Sequence, residues 1–369
     1  MKKLLCFVLT VVFCCHTSCF ALELSASSAV VVELETGAVV YAKAEDTKRT
    51  MASTTKIMTA ICALEEGDLS KKVKIPPRAV GIEGSSIYLR EAEELTLKEL
   101  VYGLMLNSGN DAAVAIAYAV AGSVEDFAKL MNTKAKEIGA KNTHFMNPNG
   151  LDEDGHYTTA KDLAMIAAYA MKNKDFREIA STYQTTIPGS EKGTKRYLTN
   201  HNKLLKRMEG CIGVKTGFTK KSGRCLVSSA ERGGVTLVAV TLNAPDDWND
   251  HINMMNYGFE RLERKKMVSK GELLQEVTVE GGDRKTTKVV CNDDFYASML
   301  KDKPYVAKYK FSKSIKAPVK KGTEVGRVEI YMGSSLIGTV PAVAGEDVGV
   351  DKTRYFGKSI MMIIRGFFK

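Results

Sequence analysis

At 369 residues, 44% hydrophobic and 26% charged, the chain has the composition of a globular protein with about two domains and a sizeable core. Its net charge of +10 points to an anionic neighbour. Zinc-finger spacing and a glycine-aromatic RNA-binding signature are both lacking, which argues against nucleic acid and for membrane or cell-wall polymers.

Residues 1–21 read as an export signal: Lys2 and Lys3 start it, an apolar run follows, and Cys19-Phe20-Ala21 forms a small-x-small cleavage site. Lipid attachment at Cys19 is the rival reading, disfavoured because His16 stands where such signals want an aliphatic residue. Cleavage before Leu22 lowers the charge to +8, since Lys2 and Lys3 are the only charges removed. Cys62, Cys211, Cys225 and Cys291 remain, too few for a disulfide scaffold. Cys211 and Cys225 flank a predicted hairpin and are candidates to pair, but four cysteines allow three connectivities, and buried free thiols are the expectation.

In chain order, two Val-rich runs around Glu35-Thr36-Gly37 predict a hairpin over residues 29–43. Ile57, Met58, Ile61, Cys62 and Leu64 recur at helical spacing over 54–66, with Gly67 as a stop, so Ser53 falls at a helix N-terminus. Further helices are predicted over 96–106, 111–121, 124–138 and 159–172. Strands follow over 213–216, 225–230 and 235–242, then a helix over 249–261. This order predicts a mixed α/β domain over 22–265. Beyond it, short strands over 276–280, 288–291 and 325–331 predict a β-rich domain over 270–348. Residues 308–322 carry six lysines and no acid, the composition of a solvated face.

Ser53 and Lys56 stand one helical turn apart, so the amine can reach the hydroxyl. It can act as a base only if desolvation or a nearby cation keeps it neutral. The pattern is weak alone, because Ser298-Met299-Leu300-Lys301 matches it too. Two further stretches change its weight: Ser108-Gly109-Asn110, 55 residues after Ser53, and Lys215-Thr216-Gly217, another 107 on. Gly217 reads either as an ordinary strand-end residue or as a place where a substrate backbone comes close. His144, His156, His201 and His251 show no metal-ligand spacing and are expected to be structural; no metal or cofactor is expected.

The three motifs, in this order and spacing, resemble the penicillin-recognising serine enzymes, most closely the low-molecular-mass penicillin-binding proteins that act as D-alanyl-D-alanine carboxypeptidases. The likeness spans about residues 29–262, including "NPNGLDEDGHYTTAKDLA" and "YLTNHNKLL", and the later β-domain and tail resemble the same branch. It implies that Ser53 is the acylated nucleophile, Lys56 its proton acceptor and Ser108 a proton shuttle. Asn110 would bind the substrate's peptide amide, and Lys215 and Thr216 its terminal carboxylate. The amides of Ser53 and Phe218, beside Gly217, would form the oxyanion hole. The implied substrates are peptidoglycan stem peptides, with β-lactams as inhibitors.

The last residues, 353–369, are too short to span a bilayer. On a helical wheel Phe356, Ile360, Ile363, Ile364 and Phe367 oppose Arg354, Lys358, Arg365 and Lys369, which predicts an amphipathic anchor on the anionic outer face of the cytoplasmic membrane, the rival being a helix packed on the β-domain. Two other functions were weighed. A class A-like β-lactamase needs a Glu-x-x-Leu-Asn segment, which no glutamate between Asn110 and Lys215 provides. A non-catalytic muropeptide or β-lactam sensor would not need Ser53, Lys56, Ser108 and Lys215 all intact.

Overall fold

The computed structural model describes residues 22–301 and 304–352. The expected export signal at 1–21 and the amphipathic tail at 353–369 lie outside the described residues.

The chain opens with the hairpin of β1 (Ser28–Glu33) and β2 (Val39–Lys43), and a 3-10 turn, Ala52–Thr55, runs directly into α1 (Lys56–Glu66). The small pair β3 (Lys72–Lys74) and β4 (Glu94–Thr96) precedes α2 (Leu97–Leu106), α3 (Asn110–Ala121), α4 (Val124–Ile138), α5 (Ala160–Lys172) and α6 (Lys174–Ser181). Four of these five helices start where side chains satisfy their free amides: a Thr96–Glu99 capping box on α2, Ser123 on α4, Thr159 on α5 and Asn173 on α6. A hairpin of β5 (Gln184–Pro188) and β6 (Lys195–Thr199) and the single turn α7 (Leu204–Arg207) lead into β7 (Cys211–Thr219), β8 (Gly223–Arg232), β9 (Val235–Leu242) and α8 (Asp247–Arg261).

One antiparallel sheet, ordered β2-β1-β9-β8-β7, organises this domain. β1 and β9 are apolar on both sides, as strands covered on both faces must be. One face carries Val30, Val32, Val227, Val238 and Val240 against the helices; the other packs Val31, Leu226, Leu237 and Ala239 against Met254 and Met255 of α8. α1 is buried almost all round because it sits among α2, α3, α4, α5 and α6. β7, at the sheet edge, keeps one side free for a ligand, and the 3-10 turn packs against it.

The remaining strands are β10 (Leu262–Val268), β11 (Leu273–Glu280), β12 (Thr286–Cys291), β13 (Phe295–Leu300), β14 (Tyr305–Phe311), β15 (Ser314–Lys316), β16 (Glu324–Met332) and β17 (Ser335–Ala344). They form a β10-β13 pair and a six-stranded sheet, β14-β16-β17-β12-β11-β15. The β-rich part therefore starts at Leu262, directly after α8, earlier than the expected residue 270. Ser298 lies buried on β13, and Lys301 donates to the Glu260 carbonyl, so this second Ser-x-x-Lys is no helix start. The four cysteines of the described chain are free thiols, and Cys211 faces Ala230 across the sheet rather than Cys225.

Candidate active site

Ser53 sits in the 3-10 turn and Lys56 is the first residue of α1, with no exposed surface. The Lys56 Nζ is 2.9 Å from Ser53 Oγ, 2.7 Å from Asn110 Oδ1 and 2.5 Å from the Asn149 carbonyl. Burial first, and the Lys215 charge second, hold this amine well below the usual lysine range, while Asp111 acts the other way. A neutral amine has two protons and one lone pair. Asn149 offers only a carbonyl oxygen, and Asn110 turns its Oδ1 to Lys56 because its Nδ2 donates to the Glu83 carbonyl. In the neutral form both protons go to these acceptors, and the lone pair is left for the Ser53 hydroxyl.

The acceptors are held in turn. In the Asn147-Pro148-Asn149-Gly150 turn, Gly150 N donates to Asn147 Oδ1 and the Pro148 carbonyl accepts from Thr59. Gly150 has φ +85°, and a β-carbon there would strike the Ala52 carbonyl. His156 accepts from Met146 N at Nδ1, so its Nε2 carries the proton that it gives Thr55 Oγ1, 2.8 Å away. Burial pushes the His156 ring down to about 4, so it stays neutral in this role. Ala52 and Ser108 both have positive φ, +47° and +60°, the backbone strain expected where a site over-determines its geometry.

A cleft of about 360 Å³ opens above Ser53, lined also by Ser85, Ser108, His201, Lys203, Thr216, Gly217 and Phe218, with Arg224, Asp247 and Trp248 on its wall. Ser85 belongs to a loop fixed from two sides. Asp111 accepts from the Ile87 and Leu89 amides and from Ser86 Oγ, while Arg196 donates to the Ile87 and Tyr88 carbonyls and pairs with Glu93. Lys215 is buried and donates to the Thr216 carbonyl; burial pushes it down to about 7.

The structure thus brings Ser53, Lys56, Ser108, Lys215, Thr216, Gly217 and Phe218 together. Asn110 is there as well, but both ends of its side chain are engaged by the protein and it is only 4% exposed. Among the histidines, His156 and His251 are buried and bonded to hydroxyls, His144 meets the Gly155 carbonyl, and His201 lines the cleft rather than serving the core. Sequence reasoning gave no role to Asn149, Asp111 or Arg196, and expected His156 only to be structural. The Asn-Pro-Asn-Gly turn was a legible signal for the first; the others act through contacts between distant segments.

Comparison with known proteins identifies the family. A D-alanyl-D-alanine carboxypeptidase family model matches residues 16–246, and a model of the penicillin-binding protein 5 C-terminal domain matches 262–350. The chain is similar to the D-alanyl-D-alanine carboxypeptidase DacF of Bacillus subtilis, 35% identical over 334 residues, covering 88% of this chain and 86% of that one. It is also similar to DacA of Haemophilus influenzae, 28% identical, covering 94% and 91%. Among solved structures, penicillin binding protein 5 from Haemophilus influenzae superposes with a TM-score of 0.69 at 28% identity over 89% of this chain and 98% of that one. A peptidoglycan synthesis regulatory factor (PBP3) from Streptococcus pneumoniae does so with a TM-score of 0.75 at 26% identity, over 88% and 100%. With its Ser-x-x-Lys turn, its edge strand and its β-rich second part in the places these matches span, the chain belongs to the D-alanyl-D-alanine carboxypeptidase family of low-molecular-mass penicillin-binding proteins.

Proposed function

We propose the following mechanism for this serine-type D-alanyl-D-alanine carboxypeptidase. The chain hydrolyses the terminal D-Ala-D-Ala bond of peptidoglycan stem peptides. Ser53 Oγ attacks the carbonyl carbon of the penultimate D-alanine while its proton passes to the Lys56 lone pair. The oxyanion forms beside the Ser53 and Phe218 amides. Collapse breaks the C–N bond, and the leaving amine takes a proton from Lys56 relayed by Ser108. D-Alanine departs, and water then releases the shortened peptide from Ser53. Asn110, engaged at both ends, orients Lys56 instead of meeting the peptide amide. A β-lactam acylates Ser53 in the same way, and no glutamate lines the cleft to activate water against the resulting ester.

The observation that carries this reading is the buried Lys56 amine, whose two carbonyl-type partners leave its lone pair to Ser53. Purified protein incubated with a peptide ending in D-Ala-D-Ala should release D-alanine, and the Ser53→Ala variant should not. Release by Ser53→Ala would refute the assignment.

The substrate places the enzyme outside the cytoplasmic membrane, as an export signal at 1–21 would require. No helix among the described residues is long and apolar enough to cross a bilayer. The spacing of apolar and basic residues in the sequence of 353–369 supports a surface anchor on anionic lipid.

A further inference from the structure

We propose that the β-rich domain binds a linear polyanion of the cell wall, a polymer with phosphodiester charges repeating along its backbone, on a stripe formed by Lys308, Lys310, Lys313, Lys316, Lys320 and Lys321. The inference is independent of the catalytic mechanism above.

All six lysines are exposed, and alternation along the strands turns those on β14 and β15 outward. On β14, Ala307 and Phe311 pack inward on the two apolar clusters of the domain, so Lys308 and Lys310 face away from them. On β15, Ile315 packs inward and Lys316 faces out. β14 and β15 are the two edges of the six-stranded sheet, yet only Ser312 and Lys313 separate them in the chain. The sheet therefore curls until its edges adjoin, and the stripe follows the chain from one edge to the other. Lys320 and Lys321 continue it beyond the buried Val319.

Counter-charge is scarce along this path. Of the six, only Lys310 is ion-paired among the described residues, to Glu329 at 2.9 Å. Glu329 is shared with Arg327, which stands directly opposite Lys310 across the β14–β16 pair. Like charges so placed repel, and one carboxylate answers both. Glu280, opposite Lys316 on β11, accepts from Ser314 Oγ, and Asp347 accepts from the Lys321 backbone amide. Elsewhere in the same domain, Lys265, Lys266, Arg284 and Lys288 each meet a carboxylate.

Two plainer roles leave part of the stripe unexplained. Lysines blunt exposed sheet edges, but Lys313, Lys320 and Lys321 lie outside the strands. An ordinary solvated face intersperses both signs of charge, and residues 308–321 contain no acid. A string of ammonium groups that follows the backbone round a curved surface matches a flexible chain of repeating negative charges, each contact releasing a counterion. A flat bilayer would meet so curved a stripe only in part, which selects polymer over lipid.

The test measures binding of the mature full-length chain, and of a chain ending at Asp351, to immobilised poly(glycerol phosphate), with sedimentation on anionic vesicles in parallel. Both chains should bind the polymer, with a steep loss between about 50 and 200 mM salt, and glycerol phosphate monomer at equal phosphate concentration should not compete. Replacing three lysines together, Lys313→Gln, Lys316→Gln and Lys320→Gln, should weaken binding roughly tenfold at low salt and flatten the log–log salt slope by about two. Lys141→Gln, Lys172→Gln and Lys192→Gln together remove the same charge from exposed lysines of the catalytic domain and should leave polymer binding nearly unchanged. Unaltered thermal unfolding shows that both triple variants are folded. Equal losses in the two triple variants would make net charge the cause and overturn the proposal. Loss of polymer binding in the chain ending at Asp351 would overturn it by placing the contact in the tail. Binding of that chain to vesicles as tightly as to the polymer would overturn it by making lipid the partner.

Discussion

Gly217 of β7 passes so close to Ser53 that a β-carbon on the glycine would lie 3.0 Å from the Ser53 amide nitrogen. The same β-carbon would be 3.1 Å from the Met51 carbonyl and from the Thr54 amide. Gly217→Ala should therefore displace the nucleophile turn by a few tenths of an ångström without unfolding the sheet. Penicillin acylation should slow by roughly tenfold, less than the hundredfold that a misplacement of about 1 Å can cost, while thermal unfolding shifts by no more than about 1 kcal/mol equivalent. Acylation at the wild-type rate would show that the turn yields freely.

Removal of the base should stop the first chemical step. Lys56→Ala should slow acylation of Ser53 by roughly a hundred- to ten-thousandfold, and Lys301→Ala, at the other Ser-x-x-Lys, should change nothing. In the wild type the acylation rate should rise with pH as Lys56 loses its proton, and this limb should lie below the usual lysine range because burial and Lys215 depress it. Equal losses from both lysine variants would defeat the assignment.

Lys215 is costly to the fold. Its pKa is near 7 when folded against 10.5 when exposed, so the unfolded chain binds the extra proton between these values and stability rises with pH across that window. The penalty is complete at and below pH 7 and gone near 10.5. Lys215→Met should raise stability at pH 7, by something on the order of a few kcal/mol, with the gain fading towards pH 10.5 and D-alanine release falling sharply. Chemical denaturation of both proteins at pH 7 and 10 measures it; a gain independent of pH would mean that packing, not charge burial, is responsible.

The tail is testable apart from the catalytic domain. A chain ending at Asp351 should fail to sediment with anionic vesicles while keeping its D-alanine release, whereas the mature full-length chain should bind them. Salt should weaken that binding without abolishing it, since screening acts on the basic face and leaves apolar burial in place. Equal binding by both chains would move the membrane contact elsewhere.

The elements with the clearest periodicity were legible from the residues alone. The Val-rich hairpin, the helix after Ser53 and α4, over 124–138, fell where spacing put them: α4 buries one regular apolar face, while β1 and α1 are marked by dense apolar runs that are buried on all sides. The hairpin of β5 and β6 was missed: Gln184, Thr185, Thr186, Lys195 and Arg196 offer little apolar alternation, and only Ile187 and Leu198 are buried. The motif residues that the structure gathers around the cleft were readable from their spacing. Their supports were not, since the Asn149 carbonyl, the Asp111 carboxylate and Arg196 take their roles from segments far away in sequence.

The sheet order also governs how the molecule can be assembled. β1 pairs with β9, setting Ser28 against Leu242, so the first strand of the catalytic domain has no inner neighbour until nearly the whole domain has been made. Closing so long a loop costs entropy before any contact rewards it, which makes this a slow step and places it late. Until β9 arrives, β1 presents an apolar edge of Ala29, Val30, Val31 and Val32 that invites association with other chains. A chain interrupted before Leu242 would therefore be an aggregation hazard rather than a smaller enzyme.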